Sequence, residues 1–297
     1  MYIRCGLIME ITYENGSVIL HKPKDFSLTH IFDCGQCFRF NKSGNNSYTG
    51  VAFGKAVTVS ESGEDVIFHD TSEEDFKNIW YDFFDLSRDY GKIKKTLAVD
   101  DVMKKAVECG SGIRILKQDL WETIVSFIIS QSNNIPRIKG IIERFCQNFG
   151  TKTEYMGNVY YTFPDIKTTA SLSLDDLSVI RAGFRDKYIL NAAKLFDSGE
   201  MDINALKAMS SKDAKSTLMS FKGIGNKVSD CIMLFGLGHT DSFPVDVWIK
   251  RIMEYCYFDG EQPIKTISDF AYDKFSPLCG YAQQYLFFYA RENKIGI

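Results

Sequence analysis

The amino-acid sequence predicts an α+β protein, in which an N-terminal antiparallel β-sheet domain is followed by a two-lobed, all-helical domain. Two observations support this prediction. Short β-branched and aromatic runs separated by Gly and Asn turns occupy the first part of the 297-residue chain. From Ser72 onward, apolar residues recur at helical spacing instead. We therefore expect a sheet-bearing domain over residues 1–110 and a helical domain over 111–297, with a cleft between the two helical lobes.

The β-rich segment contains several runs with the composition of strands. Turns such as residues 43–46 (Ser-Gly-Asn-Asn) separate them, which is typical of an antiparallel sheet. The predicted strands cover residues 17–20, 38–40, 48–53, 56–60 and 65–68.

Helical periodicity is strongest in residues 120–129, where Leu120, Ile124 and Ile128 repeat every fourth position. This spacing predicts a buried helix. Further helices are predicted over residues 136–149, 175–182, 186–198, 203–209 and 281–293.

A Gly-x-Gly turn joins two more helical segments. Residues 216–221 end one helix, Gly223 and Gly225 allow a tight turn, and a second helix begins near Asn226. Free amides at the start of that helix form an anion site suited to a nucleic-acid phosphate. Lys227 lies on its first turn, with Cys231 one turn later on the same face.

Asp246 follows Lys227 by nineteen residues (246 − 227). The run Phe243-Pro-Val-Asp-Val-Trp248 is an extended approach to a helix, and Asp246 is placed as its N-cap. Taken singly, the turn is an ordinary corner, the lysine a surface charge and the aspartate a cap. Together they indicate a site with an amine nucleophile, a carboxylate and a phosphate-binding turn.

These residues resemble a known signature. Leu218-x-x-Phe-Lys-Gly-Ile-Gly-x-Lys227-Val-x-Asp-Cys231, followed by Pro244-Val-Asp246, is similar to the helix-hairpin-helix plus Gly-Pro-Asp motif of DNA glycosylases, with Phe243 in place of the glycine. The resemblance implies a hairpin over residues 214–237. It implies that Lys227 is the Schiff-base nucleophile, that Asp246 is the catalytic carboxylate, and that DNA phosphate is bound by Gly223, Gly225 and Val228.

Two further segments resemble the bacterial 8-oxoguanine DNA glycosylase/AP lyases. Residues 34–39 (Cys-Gly-Gln-Cys-Phe-Arg) and 282–287 (Ala-Gln-Gln-Tyr-Leu-Phe) match motifs of that group. The resemblance implies that the Gly35 carbonyl accepts the N7 proton that 8-oxoguanine has and guanine lacks. Gln283 then reads the Watson–Crick edge, Phe287 and Cys231 flank the base, and Phe235 completes the pocket. For Phe287 and Cys231, core packing is the alternative.

Two loops would face the duplex by the same resemblance. Residues 131–137 are similar to the loop that fills the hole left by the extruded base. Ser132 stands where eukaryotic relatives have Asn, so Asn133 is expected to take over part of that role. Arg137 matches a reader of the opposite cytosine, Phe184 the wedge, and Arg185 a second reader. An ordinary polar surface is the alternative for Asn133, Arg137 and Arg185.

Composition limits the other classes of protein. The net charge of −3 weighs against a general nucleic-acid binder, but lysines and arginines lie near the proposed site. No apolar run is long enough to cross a bilayer, and eight scattered cysteines suggest reduced thiols. We expect a cytoplasmic, nucleoid-associated monomer.

No metal or cofactor is expected. Cys34-x-x-Cys37 has no second pair at ligand spacing, and only Cys256 and Cys279 occur near the C-terminus, too few for an iron–sulfur cluster.

Two alternatives to an 8-oxoguanine glycosylase/lyase remain open. One is a glycosylase of the same architecture for alkylated purine or formamidopyrimidine. The other is a non-enzymatic helix-hairpin-helix module that grips DNA. A pure binding module has no need to keep Lys227, Asp246 and the Gln283/Phe287 pair together.

Overall fold

Antiparallel strands form the N-terminal part of the chain in the computed structural model, which describes residues 2–4 and 7–295. They join into one seven-stranded sheet in the order β1-β2-β3-β7-β6-β5-β4. The strands are β1 (Tyr2–Arg4), β2 (Leu7–Glu14), β3 (Ser17–His21), β4 (Phe40–Gly44), β5 (Ser47–Ala52), β6 (Lys55–Ser62) and β7 (Asp65–His69).

One face of this sheet is buried because its strands alternate apolar and polar residues. Val18 lies opposite Phe68 and Leu20 opposite Val66 in the β3–β7 register, and all four side chains are buried. An aromatic cluster covers them, contributed by the short helix α1 (Leu28–Phe32), a π-helical turn (Phe76–Trp80) and α3 (Tyr81–Phe83). The short polar helix α2 (Glu73–Asp75) precedes the π-helical turn.

The rest of the described chain is largely helical and shares one buried core. Among the described residues no helix is long and apolar enough to cross a membrane. The helices are α4 (Tyr90–Leu97), α5 (Asp101–Cys109), α6 (Leu120–Ser130), α7 (Ile135–Phe149), α8 (Ile166–Ala170), α9 (Leu174–Leu177), α10 (Asp186–Asp197), α11 (Ile203–Ala208), α12 (Ser211–Ser220), α13 (Asn226–Phe235), α14 (Val247–Tyr257), α15 (Ile264–Phe275) and α16 (Cys279–Glu292).

Helix α6 is the central element of this core. Every residue from Leu120 to Ile129 is buried, and the helix packs against α7 and α13. Asp119 caps its N-terminus by accepting the amide of Glu122 at 2.9 Å. Since its C-terminal turn reaches the loop before α7, α6 fixes the position of that loop relative to the hairpin.

The predicted fold class is confirmed, with local differences. Strand β2 was not predicted, although Glu10 to Glu14 alternate polar and apolar side chains. A two-stranded hairpin, β8 (Lys152–Tyr155) and β9 (Asn158–Tyr161), lies within the helical domain. Its turn has positive φ at Met156 and Gly157, and a Met-Gly pair is a weaker turn signal than Asn-Gly.

Two predicted boundaries were wrong. The strand predicted from residue 38 begins at Phe40. The helix predicted over 175–182 ends at Leu177 and continues only as a 3-10 turn, Ser178–Ile180, because Arg181 adopts a left-handed φ of 60°. The domain boundary near residue 110 stays a prediction.

Candidate active site

The Gly-x-Gly turn forms a tight corner between α12 and α13. Gly223 has φ +87°, and a Cβ there would lie 2.4 Å from Cγ of Tyr188, so only glycine fits. Gly225 is the N-cap of α13 and, having no side chain, gives no acceptor to the first amides of the helix. The amides of this first turn, including that of Val228, are therefore available to an anion.

Lys227 projects from the first turn of α13 and is partly buried. Its Nζ lies 5.4 Å from the centre of the Phe127 ring and 3.4 Å from Oγ of Ser130, both on α6. One turn further along α13, burial raises the pKa of the Cys231 thiol to about 11, against the opposing charge of Lys227. Cys231 is therefore a neutral thiol at pH 7.

Asp246 is the N-cap of α14, as predicted. Its Oδ1 accepts the amide of Ile249 at 2.8 Å. Burial raises the pKa of the Asp246 carboxyl, while the Ile249 amide and the Lys227 charge act in the opposite direction. The cap uses one carboxylate oxygen and orients the group, and the Lys227 charge acts on it across the site.

A single cavity of about 630 Å³ contains Lys227 and Asp246 in its wall together with Gly35 and Phe287. Gly35 has φ +77°, and a Cβ there would lie 3.2 Å from Cε1 of Phe287. The loop after α1 and the helix α16 are thus in contact at this point. The structure brings together residues from opposite ends of the chain that the sequence analysis assigned to one site.

The other predicted base-pocket residues are buried around this cavity and do not form part of its lining. Gln283 lies one turn before Phe287 on α16, and its Oε1 accepts Nε2 of Gln284 at 2.7 Å. Phe235 stacks on Phe127, with ring centres 5.4 Å apart. Their predicted roles require the cavity to extend toward them when a base enters.

The loop between α6 and α7 lies at the mouth of the cavity. Ser132 is exposed and has a left-handed φ of 45°. The Asn133 side chain is engaged with the loop itself: its Nδ2 donates to the Ile129 carbonyl at 3.0 Å and its Oδ1 accepts the Asn134 amide at 3.0 Å. Arg137, on the first turn of α7, is exposed.

The predicted wedge Phe184 is 51% exposed, and its ring lies 4.3 Å from the guanidinium of Arg185. Arg185 itself is buried. Its guanidinium donates to the carbonyls of Gln131, Ser132 and Ala182 and so ties the wedge segment to the loop. Four of roughly five guanidinium N–H groups are used in these bonds. To read cytosine as well, Arg185 must use its remaining N–H group or change its position.

Arg291 is a site residue that the sequence analysis missed. It lines the cavity, lies 5.4 Å from the centre of the Phe287 ring and donates from Nη1 to the Asp33 carbonyl at 2.8 Å. It therefore links α16 to the segment that carries Gly35. Its spacing of four residues from Phe287 was a usable signal, because residues i and i+4 share a helix face.

Trp248, to which the sequence assigned no role, also lines the cavity. The Arg251 guanidinium lies 5.7 Å from its ring centre. Among the residues described, no three His, Cys, Asp or Glu side chains are grouped so that they could hold a metal ion.

Two family models match the chain in succession. The 8-oxoguanine DNA glycosylase N-terminal domain matches residues 18–124, and the HhH-GPD superfamily base excision DNA repair protein model matches residues 125–274.

Solved structures and a curated relative agree with these matches. MBOgg1 in complex with a low-affinity DNA ligand is 45% identical, with a TM-score of 0.94, over 97% of this chain and 100% of that one. Clostridium acetobutylicum 8-oxoguanine glycosylase/lyase, bound to double-stranded DNA with cytosine opposite 8-oxoguanine, is 44% identical, with a TM-score of 0.93, over 97% and 99%. The N-glycosylase/DNA lyase of Saccharomyces cerevisiae is 37% identical over 158 residues, which cover 49% of this chain and 42% of the yeast protein.

The fold, the hairpin and the shared cavity agree with these matches. The chain belongs to the HhH-GPD superfamily of base excision DNA repair proteins and, within it, to the 8-oxoguanine DNA glycosylase/lyases.

Proposed function

We propose that this chain is a bifunctional base-excision-repair enzyme, which flips 8-oxoguanine out of duplex DNA, removes it and nicks the strand through a Schiff base on Lys227. The observation that carries the proposal is one cavity that holds Lys227, Asp246, Gly35 and Phe287. The 8-oxoguanine glycosylase/lyase relatives support the same activity.

The proposed reaction begins with Lys227. A base inside the duplex cannot be reached, so it is first extruded into the pocket. The amine, having released its proton, attacks the sugar C1′. The C1′–N9 bond breaks, and its electron pair leaves with the base, which gains a proton. Asp246 stabilises the positive charge that develops on the sugar. The C1′–O4′ bond then breaks, with O4′ taking up a proton and the nitrogen losing one, so that a Schiff base forms at C1′. Loss of a 2′ proton then expels the 3′ phosphate by β-elimination.

Recognition of the base rests on contacts from both ends of the chain. The Gly35 carbonyl accepts the N7 proton, and guanine would leave this acceptor unpaired. Phe287 and Cys231 stack on the two faces of the base, with Phe235 behind, and Gln283 reads its Watson–Crick edge. The proximity of Gly35 to Phe287 and the neutral thiol of Cys231 support this arrangement.

The DNA is held on both strands. Amides of Gly223, Gly225 and Val228 bind a phosphate of the damaged strand, while Phe184 enters the duplex beside the lesion. Ser132 and Asn133 fill the hole, and Arg137 reads the opposite cytosine, with Arg185 as the second reader. Phe184 and Arg137 are both exposed, and each is next to a residue that contacts or follows the loop in the cavity wall, which supports this assignment. We also propose that the enzyme acts as a monomer on chromosomal DNA in the cytoplasm.

An excision panel tests this proposal. Duplexes carrying 8-oxoguanine, 3-methyladenine or formamidopyrimidine are each incubated with the enzyme, and base release and strand nicking are measured separately. Release and nicking with 8-oxoguanine opposite cytosine are expected to be fastest. A faster release of 3-methyladenine or formamidopyrimidine would reject the substrate assignment, and release without nicking would reject the lyase.

A further inference from the structure

A second cavity, of about 500 Å³, lies at the opposite end of α6 from the active site. The active-site cavity is lined by C-terminal residues of α6, and this one by its N-cap and first turn, namely Asp119, Trp121 and Glu122. The helix has 11 residues, so about 16 Å separates its ends. Phe53 and Gly54 from the sheet domain close one side. The proposed repair reaction uses none of these groups.

Glu122 is the unusual group in this cavity. It is only 9% exposed, and its side chain lines the cavity. Across the described parts of the chain, neither of its carboxylate oxygens has a hydrogen-bond or ion-pair partner. The charge of Arg39 acts on it, but that guanidinium bonds to the Tyr161 carbonyl and leaves its Nε and Nη1 unpaired. Neither oxygen of Glu122 is among the fully buried, unpaired side-chain atoms of the described residues, so the carboxylate faces the cavity and can accept a hydrogen bond from a group that enters it.

The cavity suits a cation better than an anion. Three carboxylates line it (Asp119, Glu122 and Asp165), against one exposed lysine, Lys207. The helix N-termini that open into it give no free anion site, because Asp119 caps α6 at 2.9 Å and Asp165 caps α8 at 2.7 Å.

The kind of cation follows from the chemistry of the lining. Over the described residues no three acidic, His or Cys side chains are close enough together to hold a metal ion. The three carboxylates of the lining therefore do not form a metal site. Aromatic rings also line the cavity, namely Trp121, Phe149 and Phe163. Aromatic faces beside a carboxylate are the surroundings that alkylammonium ions prefer.

We propose that this cavity binds a small organic cation, a primary alkylammonium ion, whose ammonium group donates to the Glu122 carboxylate and whose alkyl chain packs on Trp121 and the neighbouring phenylalanines. The ligand supplies the donor that Glu122 lacks. Burial also raises the pKa of Glu122 to about 7, so the carboxylate is available to the ammonium at pH 8.

The test is a titration observed by NMR on protein with labelled isoleucine methyl groups, since Ile166 and Ile203 line the cavity. The probe is n-butylammonium chloride at pH 8, and n-butanol is the uncharged analogue. We expect saturable shifts at these two residues with butylammonium and much weaker binding of butanol. Absence of saturable shifts with butylammonium, or equal binding of butanol, would overturn the proposal. This comparison needs only the wild-type protein.

Two variants test whether the Glu122 carboxylate is the group that binds the ammonium ion. Glu122→Gln keeps the shape and removes the carboxylate, so butylammonium affinity should fall about tenfold or more. Glu108→Gln makes the same change of charge at an exposed position of α5 that is not part of the cavity lining, and affinity should not change. An unchanged affinity in Glu122→Gln would reject Glu122 as the ligand.

Discussion

At the scale of single residues, the candidate base pocket depends on the contact between Gly35 and Phe287. Gly35 has φ +77°, and an added Cβ would lie 3.2 Å from the ring. Gly238 has a similar φ of +73°, but a Cβ added there would have no other atom within 4 Å. Alanine at either position costs about 1–2 kcal/mol of folding free energy through backbone strain. Only Gly35→Ala also displaces Phe287.

We therefore expect the rate of 8-oxoguanine excision to fall about tenfold or more in Gly35→Ala and to stay at the wild-type value in Gly238→Ala. Chemical denaturation measures the loss of folding free energy that the backbone strain causes. The single-turnover rate of base release measures whether the base pocket still functions. Equal excision by the two variants would show that the contact with Phe287 has no role in recognition.

Arg291 gives a second prediction at this scale. Because it holds Phe287 and the Asp33 carbonyl, Arg291→Met should loosen the base pocket and lower excision of 8-oxoguanine about tenfold. A preformed abasic site needs no base pocket, so nicking of abasic duplex should remain at the wild-type rate. Parallel loss of both activities would mean that Arg291 acts only through general structure.

At the scale of elements, the two arginines near the cavity mouth have different surroundings. Arg185 is buried and bonds to three backbone carbonyls, while Arg137 is exposed. Arg185→Ala leaves buried carbonyls unpaired and should lower the unfolding free energy by about 2–3 kcal/mol. Arg137→Ala should leave stability unchanged and reduce the preference for cytosine opposite the lesion.

The measurements are denaturation of both variants and excision rates with each of the four bases opposite 8-oxoguanine. If Arg137→Ala keeps the wild-type preference, it does not read the opposite base.

Elements with strong local patterns were predictable, and those set by tertiary contacts were not. The apolar repeat of α6, the glycine corner before α13 and the cap at Asp246 follow from local chemistry. The burial of Arg185 depends on the Gln131 carbonyl, which lies far from it in the chain. No local signal marks that bond, so the sequence suggested an exposed reader.

At the scale of the whole molecule, one buried ionisable group, Glu122, makes stability depend on pH. Burial raises the pKa of Glu122 from its ordinary 4.5 to about 7. The folded state therefore holds the proton more tightly than the unfolded state. The contribution of Glu122 to the free energy of unfolding is complete below pH 4.5 and is lost as the pH rises toward 7. The difference of pKa corresponds to about 3 kcal/mol.

Glu122→Gln removes this penalty. The variant should be more stable than wild type by about 3 kcal/mol at pH 8, and the advantage should shrink toward zero near pH 4.5. Urea denaturation across this pH range measures the difference. An advantage that does not vary with pH would show that Glu122 titrates normally.

The overall architecture was predictable because the sheet and the helices differ in periodicity. The second cavity was not, since its lining comes from separate segments, including the unpredicted β8–β9 region and the β5–β6 turn. The residues of the active site could be predicted from the family's motifs, and the fold brings these motifs together.

In the proposed reaction the covalent intermediate forms on Lys227. Borohydride reduction during reaction with an 8-oxoguanine duplex traps a Schiff base as a stable protein–DNA complex. We expect trapping with wild type and with Lys222→Gln, an exposed lysine of the same hairpin, and none with Lys227→Gln, which should still bind the duplex. Undiminished trapping by Lys227→Gln, or none by wild type, would rule out a Schiff base on Lys227.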